Sequence, residues 1–129
     1  MPITIAMNHE AGYFVSYYKG PITDANLLND WKSIIDNGTW IPDTNELADL
    51  SEADLSGLTT DGIRALADYF ISMSTDRNVA SMKKTAIYAP NELNFGLARM
   101  YGVFAFKSSQ KIEFFYVREE AIQWLRNEK

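Results

Sequence analysis

The segment Asn45–Phe70, NELADLSEADLSGLTTDGIRALADYF, constrains the fold more than any other part of the chain. Its apolar beginning reads as a short buried strand, Glu46–Leu50. Its acidic middle reads as a loop, and its end as an amphipathic helix in which Ile63, Leu66, Ala67, Phe70 and Met73 share one face. Thr59 or Thr60 caps that helix, because a hydroxyl there accepts from the free N–H groups of the first turn. Such a strand–loop–helix junction belongs to an α/β domain, where ligands and switches gather outside the carboxyl ends of the strands.

The flanking sequence fits the same architecture. Ile3, Ile5 and Met7 alternate with smaller residues, residues 8–12 make a turn, and Tyr13–Tyr18 is a second strand, so the chain opens with an antiparallel hairpin. Gly20-Pro21 ends it. Thr23 caps a helix whose inner face is Leu27, Leu28, Trp31, Ile34 and Ile35, and Asn37-Gly38 stops it. Trp40-Ile41-Pro42 is a connector. Thr85–Ala89 has the continuous apolar character of a central strand. Pro90-Asn91 starts a third helix running to Phe106. Lys111–Val117 is the last strand, and Glu119–Asn127 a closing helix with Ile122 and Leu125 inward. The order is β-β-α-β-α-β-α-β-α. Right-handed crossovers then make the later strands parallel, giving a mixed sheet in one domain of 129 residues.

Composition narrows the functions. Cysteine is absent, which excludes thiolate chemistry, disulfides and zinc–sulfur sites. A net charge of −5 disfavours a phosphate backbone, so no nucleic-acid partner is expected. No apolar run approaches a membrane span, and the amino-terminal residues lack the features of a signal peptide, so a cytoplasmic location is expected. Asn37-Gly38-Thr39 matches a glycosylation sequon but reads as a helix stop. His9, the single histidine, sits in the hairpin turn far from any nucleophile, and histidine-based catalysis is not expected. Asp49, Glu52, Asp54 and Asp61 crowd the junction. Their spacing matches no calcium loop, and strand ends and helix dipoles account for them; no metal or other cofactor is expected.

The third helix, NELNFGLARMYGVFAF, is apolar on most of its circumference. Leu93, Leu97, Met100 and Phe104 form one stripe, and Phe95, Tyr101, Val103 and Phe106 lie elsewhere. Such a helix is deeply buried, or covers a ligand, or meets a partner, a second copy or a membrane. Gly96 and Gly102 weaken it by about 1 kcal/mol each relative to alanine. From Pro90 to Lys111 the cations are Arg99, Lys107 and Lys111, against Glu92 alone. With Lys83 and Lys84 nearby, four lysines would line one edge. Phe95, Phe106, Lys107 and Lys111 are therefore candidate contacts for an anionic membrane or a partner.

The element order, the ELADL strand and the stretches AIYAPNELNFGLARMY and IEFFYVREEAIQWL resemble the STAS-like superfamily over nearly the whole chain. More narrowly, they resemble its small stand-alone bacterial proteins likened to sporulation anti-anti-sigma factors, a branch related in fold to CRAL-TRIO lipid-binding domains. The resemblance implies a non-catalytic domain. It implies either a kinase-controlled phosphoswitch at the start of the helix after the third strand, or an apolar ligand held between the sheet and a movable helix. At the switch position this chain carries Thr59, Thr60, Asp61 and Gly62 in place of the family's Asp-Ser-Ser-Gly pattern.

Three readings follow. The first is a binding module holding an apolar or lipid-like ligand, or a protein partner, with Phe95, Leu97, Arg99, Met100, Tyr101 and Phe104 as the ligand-binding residues and Arg99 as an anchor for an anionic head group. Peripheral association with the inner membrane and a homodimer are subsidiary expectations. The second is a phosphoswitch regulator using Thr59 or Thr60. The third is a small enzyme using Asp49 and Asp54, which requires both carboxylates to face one pocket.

Overall fold

The computed structural model describes residues 2–8, 12–38, 44–77, 83–108 and 110–127. His9 and the Trp40–Pro42 connector lie outside the described residues. Five strands form one sheet in the order β1-β2-β3-β4-β5: β1 (Ile3–Asn8), β2 (Tyr13–Pro21), β3 (Asn45–Asp54), β4 (Lys83–Tyr88) and β5 (Gln110–Phe115). β1 is antiparallel to β2, and β2 through β5 are parallel. The helices are α1 (Asp24–Asp36), α2 (Thr60–Arg77), α3 (Glu92–Phe104) and α4 (Arg118–Arg126). The expected order and the hairpin followed by parallel strands are both present.

Sequential parallel strands need crossovers of one hand, so α1, α2 and α3 share one face of the sheet. They enclose the larger core, which includes Phe14, Tyr18, Ala48, Leu50 and Ile87 from the sheet and Leu27, Trp31, Leu66, Phe70 and Ala98 from the helices. Among the described residues α4 covers the other face, with Ala121 and Leu125 against Tyr13, Val15, Leu47 and Ala86.

Two boundaries differ from expectation. β3 runs to Asp54, so the acidic residues after Leu50 are strand, not loop. β2 likewise continues through Gly20-Pro21, pairing Lys19 with Glu52 and Pro21 with Asp54 beyond an irregularity between Tyr17 and Lys19. Gly20, just past this irregularity, takes a φ of +71°, where a side-chain-bearing residue would be strained. At the far end α3 stops at Phe104, with Ala105 as its C-cap, and Phe106 lies beyond it.

Side chains from neighbouring elements fix the helices. Asn94, almost fully buried, donates from Nδ2 to the Leu50 and Ala53 carbonyls at 3.1 and 3.0 Å, pinning α3 to the carboxyl end of β3. Thr59 caps α2, accepting the Gly62 N–H at 3.1 Å. Asp24, from the start of α1, accepts the Thr59 N–H at 2.9 Å and its hydroxyl at 2.5 Å. The carboxylate also lies where the α2 dipole favours negative charge. A Cβ on Gly62 would fall 2.0 Å from Asp24 Oδ1. Gly62→Ala should therefore expel Asp24 and cost about 1–2 kcal/mol, the worth of a lost cap. Asp24 Cβ would itself lie 2.7 Å from the new methyl, so the same change should cost much less only in an Asp24→Gly background, and a double-mutant cycle by urea unfolding measures this coupling.

Candidate functional site

Between the sheet and α1–α3 lies a cavity of about 80 Å³. Leu27 of α1, Leu55 and Leu58 of the β3–α2 connection, Ile63, Leu66 and Phe70 of α2, and Leu97 and Ala98 of α3 form its apolar wall. Ala48, Leu50 and Ile87 supply the sheet side. The alanines at 48 and 98 leave room on facing surfaces that larger residues would fill.

The polar wall comes from a feature that strand periodicity produces. The first inward position of three successive parallel strands is polar: Glu46 on β3, Lys83 on β4 and Gln110 on β5 are all buried. Ser16 and Thr85 point to the same face. Glu46 accepts from Lys83 Nζ at 3.1 Å through Oε1 and from the Ser16 hydroxyl at 2.7 Å through Oε2. Thr85 donates to Gln110 Oε1 at 2.6 Å, and Gln110 Nε2 donates to the Tyr101 hydroxyl at 3.2 Å. Trp31 Nε1 donates to the Tyr18 hydroxyl at 2.9 Å. Glu46, Thr85, Gln110, Tyr18, Tyr101 and Trp31 all line the cavity. A buried ion pair with a hydrogen-bonded polar network contributes little to stability compared with apolar packing. Such clusters in a cavity are candidate sites on physical grounds.

Burial pushes the pKa of the Tyr18 and Tyr101 hydroxyls well above that of free tyrosine, and the nearby Glu46 carboxylate adds to both shifts. Both remain neutral hydrogen-bonding groups at physiological pH. The linked stability is complete below the unfolded-state value of about 10 and is lost as pH rises toward the folded-state values. Absorbance at 295 nm should therefore show these two tyrosines ionising only with global unfolding. In Tyr18→Phe/Tyr101→Phe that late cooperative component should disappear.

The expected ligand residues separate. Leu97 and Tyr101 line the cavity; Phe95, Arg99, Met100 and Phe104 are not among its lining residues. Phe95 stacks on Tyr116 at 3.9 Å between centroids and meets Phe114 edge-on at 6.2 Å. Phe104 lies under the Arg64 guanidinium at 4.6 Å. Arg99 is exposed, so it does not anchor a group inside the cavity. The outward side of α3 presents Leu93 and Val103, and exposed Phe106 follows with the Lys107 ammonium 5.8 Å above its ring. Lys111 is exposed on β5. The expected row of four lysines is not formed: Lys83 is buried with Glu46, while Lys84 donates to the carbonyls of Trp124 and Asn127.

The carboxylates expected for catalysis do not converge. Asp49 is buried, accepts from the Ser51 N–H and hydroxyl, and lies 3.8 Å from Arg118 of α4. Asp54 is exposed at the strand end, where the Ser56 hydroxyl and N–H hold its carboxyl below the usual range. Neither lines the cavity, which removes the condition the carboxylate-enzyme reading required. Among the described residues no acidic or histidine cluster is placed to hold a metal. At the α2 start, Thr59 is occupied as the cap while Thr60 is exposed.

Glu46, Lys83, Thr85, Gln110, Ser16, Tyr18 and Trp31 were not among the residues singled out for the site. The signal available was polar residues at inward positions of buried strands, as in Glu46–Ala48–Leu50 and Lys83–Thr85–Ile87.

A scan of protein-family models and a search of curated proteins return no match. Among solved structures, the chain is similar to an uncharacterized protein of the DUF3478 family with a SpoIIAA-like fold, from Shewanella loihica PV-4. The TM-score is 0.61 at 19% identity, over 95% of this chain and 91% of that one. The chain therefore has the SpoIIAA-like fold, the fold of the STAS-like superfamily, as its sequence resemblance implied. Among the described residues no helix is long and apolar enough to cross a membrane.

Proposed function

We propose that this chain is a non-catalytic STAS-type binding module that holds a small, largely apolar ligand between its sheet and α1–α3. The observation that carries this reading is the cavity itself, with apolar walls from α1–α3, β3, β4 and the β3–α2 connection and a polar network at one end. Its volume of about 80 Å³ is below the roughly 150 Å³ void that accepts benzene, so the space as it stands takes a small molecule. A lipid chain would require α2 or α3 to move away from the sheet.

Native mass spectrometry of the purified protein, with solvent extraction of whatever accompanies it, tests the reading. A stoichiometric small organic molecule, lost on replacing Ala98 by leucine, is the expected result. A clean apo mass together with unchanged stability across a panel of small alcohols, ketones and hydrocarbons would count against it.

A regulatory reading rests on a separate observation, the exposed Thr60 beside the capping Thr59 at the start of α2. Phosphate there would meet the helix N-terminus and the Asp24 carboxylate together, placing attraction and repulsion at one joint. Peptide mass spectrometry of protein taken from its native cells decides it: phosphate on Thr59 or Thr60 supports the switch, and uniformly unmodified peptide opposes it.

A further inference from the structure

We propose that the cavity selects a neutral molecule bearing an acceptor oxygen, of the ketone or alcohol class, and rejects carboxylates. This rests on the reading of the cavity as a ligand site and assigns the chemistry of what it takes.

The argument is a count of donors and acceptors on the polar wall. The Thr85 hydroxyl donates to Gln110 Oε1, and Gln110 Nε2 donates to the Tyr101 oxygen. These bonds run in one direction and leave the Tyr101 proton as the terminal donor. No residue among those described accepts it. Chains of this kind polarise each member in turn, which strengthens the last donor. Burial keeps that donor protonated, because the Tyr101 pKa is raised. An acceptor oxygen entering the cavity would complete the chain, while the leucine, isoleucine and phenylalanine wall receives the carbon skeleton.

Charge sets the second half of the preference. Among the described residues Glu46 is the one formally charged residue lining the cavity, and its oxygens are engaged by Lys83 and Ser16. Among the described residues no lysine or arginine lines the cavity to receive a ligand anion. Arg99, the expected head-group anchor, is on the outside of α3. A buried carboxylate ligand would therefore be desolvated beside another carboxylate without its own counterion.

Titrations followed by backbone amide shifts, with butanone, butyrate and xenon as probes, test the proposal on the full chain. Xenon reports on the apolar space alone. The expected result is saturable binding of butanone, at least tenfold weaker binding of butyrate, and xenon binding in both wild type and Tyr101→Phe. Tyr101→Phe should weaken butanone about tenfold, the worth of one hydrogen bond in a buried setting. Butyrate binding as tightly as butanone would overturn the proposal. So would unchanged butanone affinity in Tyr101→Phe, the result expected if Tyr101 instead donates to Gln110. In those two cases retained xenon binding leaves the cavity reading standing. Absence of xenon binding to the wild type would overturn both.

Discussion

Lys83→Met is expected to destabilise the protein by about 3–5 kcal/mol, although it replaces a lysine by an apolar residue of similar length. Lys83 and Glu46 are both almost fully buried, with Nζ and Oε1 3.1 Å apart. Removing the ammonium leaves the Glu46 carboxylate desolvated with the Ser16 hydroxyl as its remaining partner. It also removes a cation 5.2 Å above the Phe14 ring. Changing both charges together, Lys83→Met with Glu46→Leu, should recover most of the loss, because an apolar pair packs where an ion pair had to be desolvated. Urea unfolding of the wild type, both single variants and the double variant gives the coupling directly. If the single variant costs less than about 1 kcal/mol, the pair behaves as a solvated surface contact and the buried network is misdescribed. If the double variant is stable but loses butanone binding, the ion pair is retained for the site and not for the fold.

Trp31→Ala should cost about 3–5 kcal/mol, the range for removing a fully buried aromatic side chain. Trp31 is 1% exposed, meets Phe70 edge-on at 5.4 Å and donates to Tyr18. Because it also lines the cavity, its removal should create a void continuous with existing space. Indole should then restore part of the lost stability, by about 2.7 kcal/mol at a hundredfold excess over its dissociation constant. Trp124 provides the control: it is half-buried on the α4 face and meets Phe115 at 5.8 Å. Trp124→Ala should lose less stability and should not respond to indole. Equal rescue of both variants would show that indole acts on the surface.

The fold was legible because it is written in short-range patterns. Alternation at Ile3, Ile5 and Met7, the apolar faces of α1 and α2, and the cap at Thr23 each depend on a few neighbouring residues. The hidden parts depend on partners distant in the chain. The length of β3 is set by pairing with Lys19–Pro21, more than thirty positions earlier, so Ser51–Asp54 resembled a loop when read alone. Lys83 resembled a surface charge because its partner Glu46 lies on another strand.

The same limit shaped the candidate site. The apolar excess of α3 draws attention to Leu97 and Tyr101, which line the cavity. It could not separate them from Phe95, which serves a ring stack, or from Leu93 and Val103, which face outward. Composition gives the number of apolar residues on a helix; its angle against the sheet determines which of them meet the cavity.

Xenon titration of the wild type and Ala98→Leu, followed by backbone amide shifts, tests most directly whether the space beneath α3 is a binding site. Leucine at position 98 extends from the cavity wall into that space. The expected result is a saturable shift at Ala48, Ile63, Leu97 and neighbouring lining residues in the wild type, absent from a folded Ala98→Leu protein. Wild-type spectra unchanged under xenon, or identical shifts in the filled variant, would contradict the account.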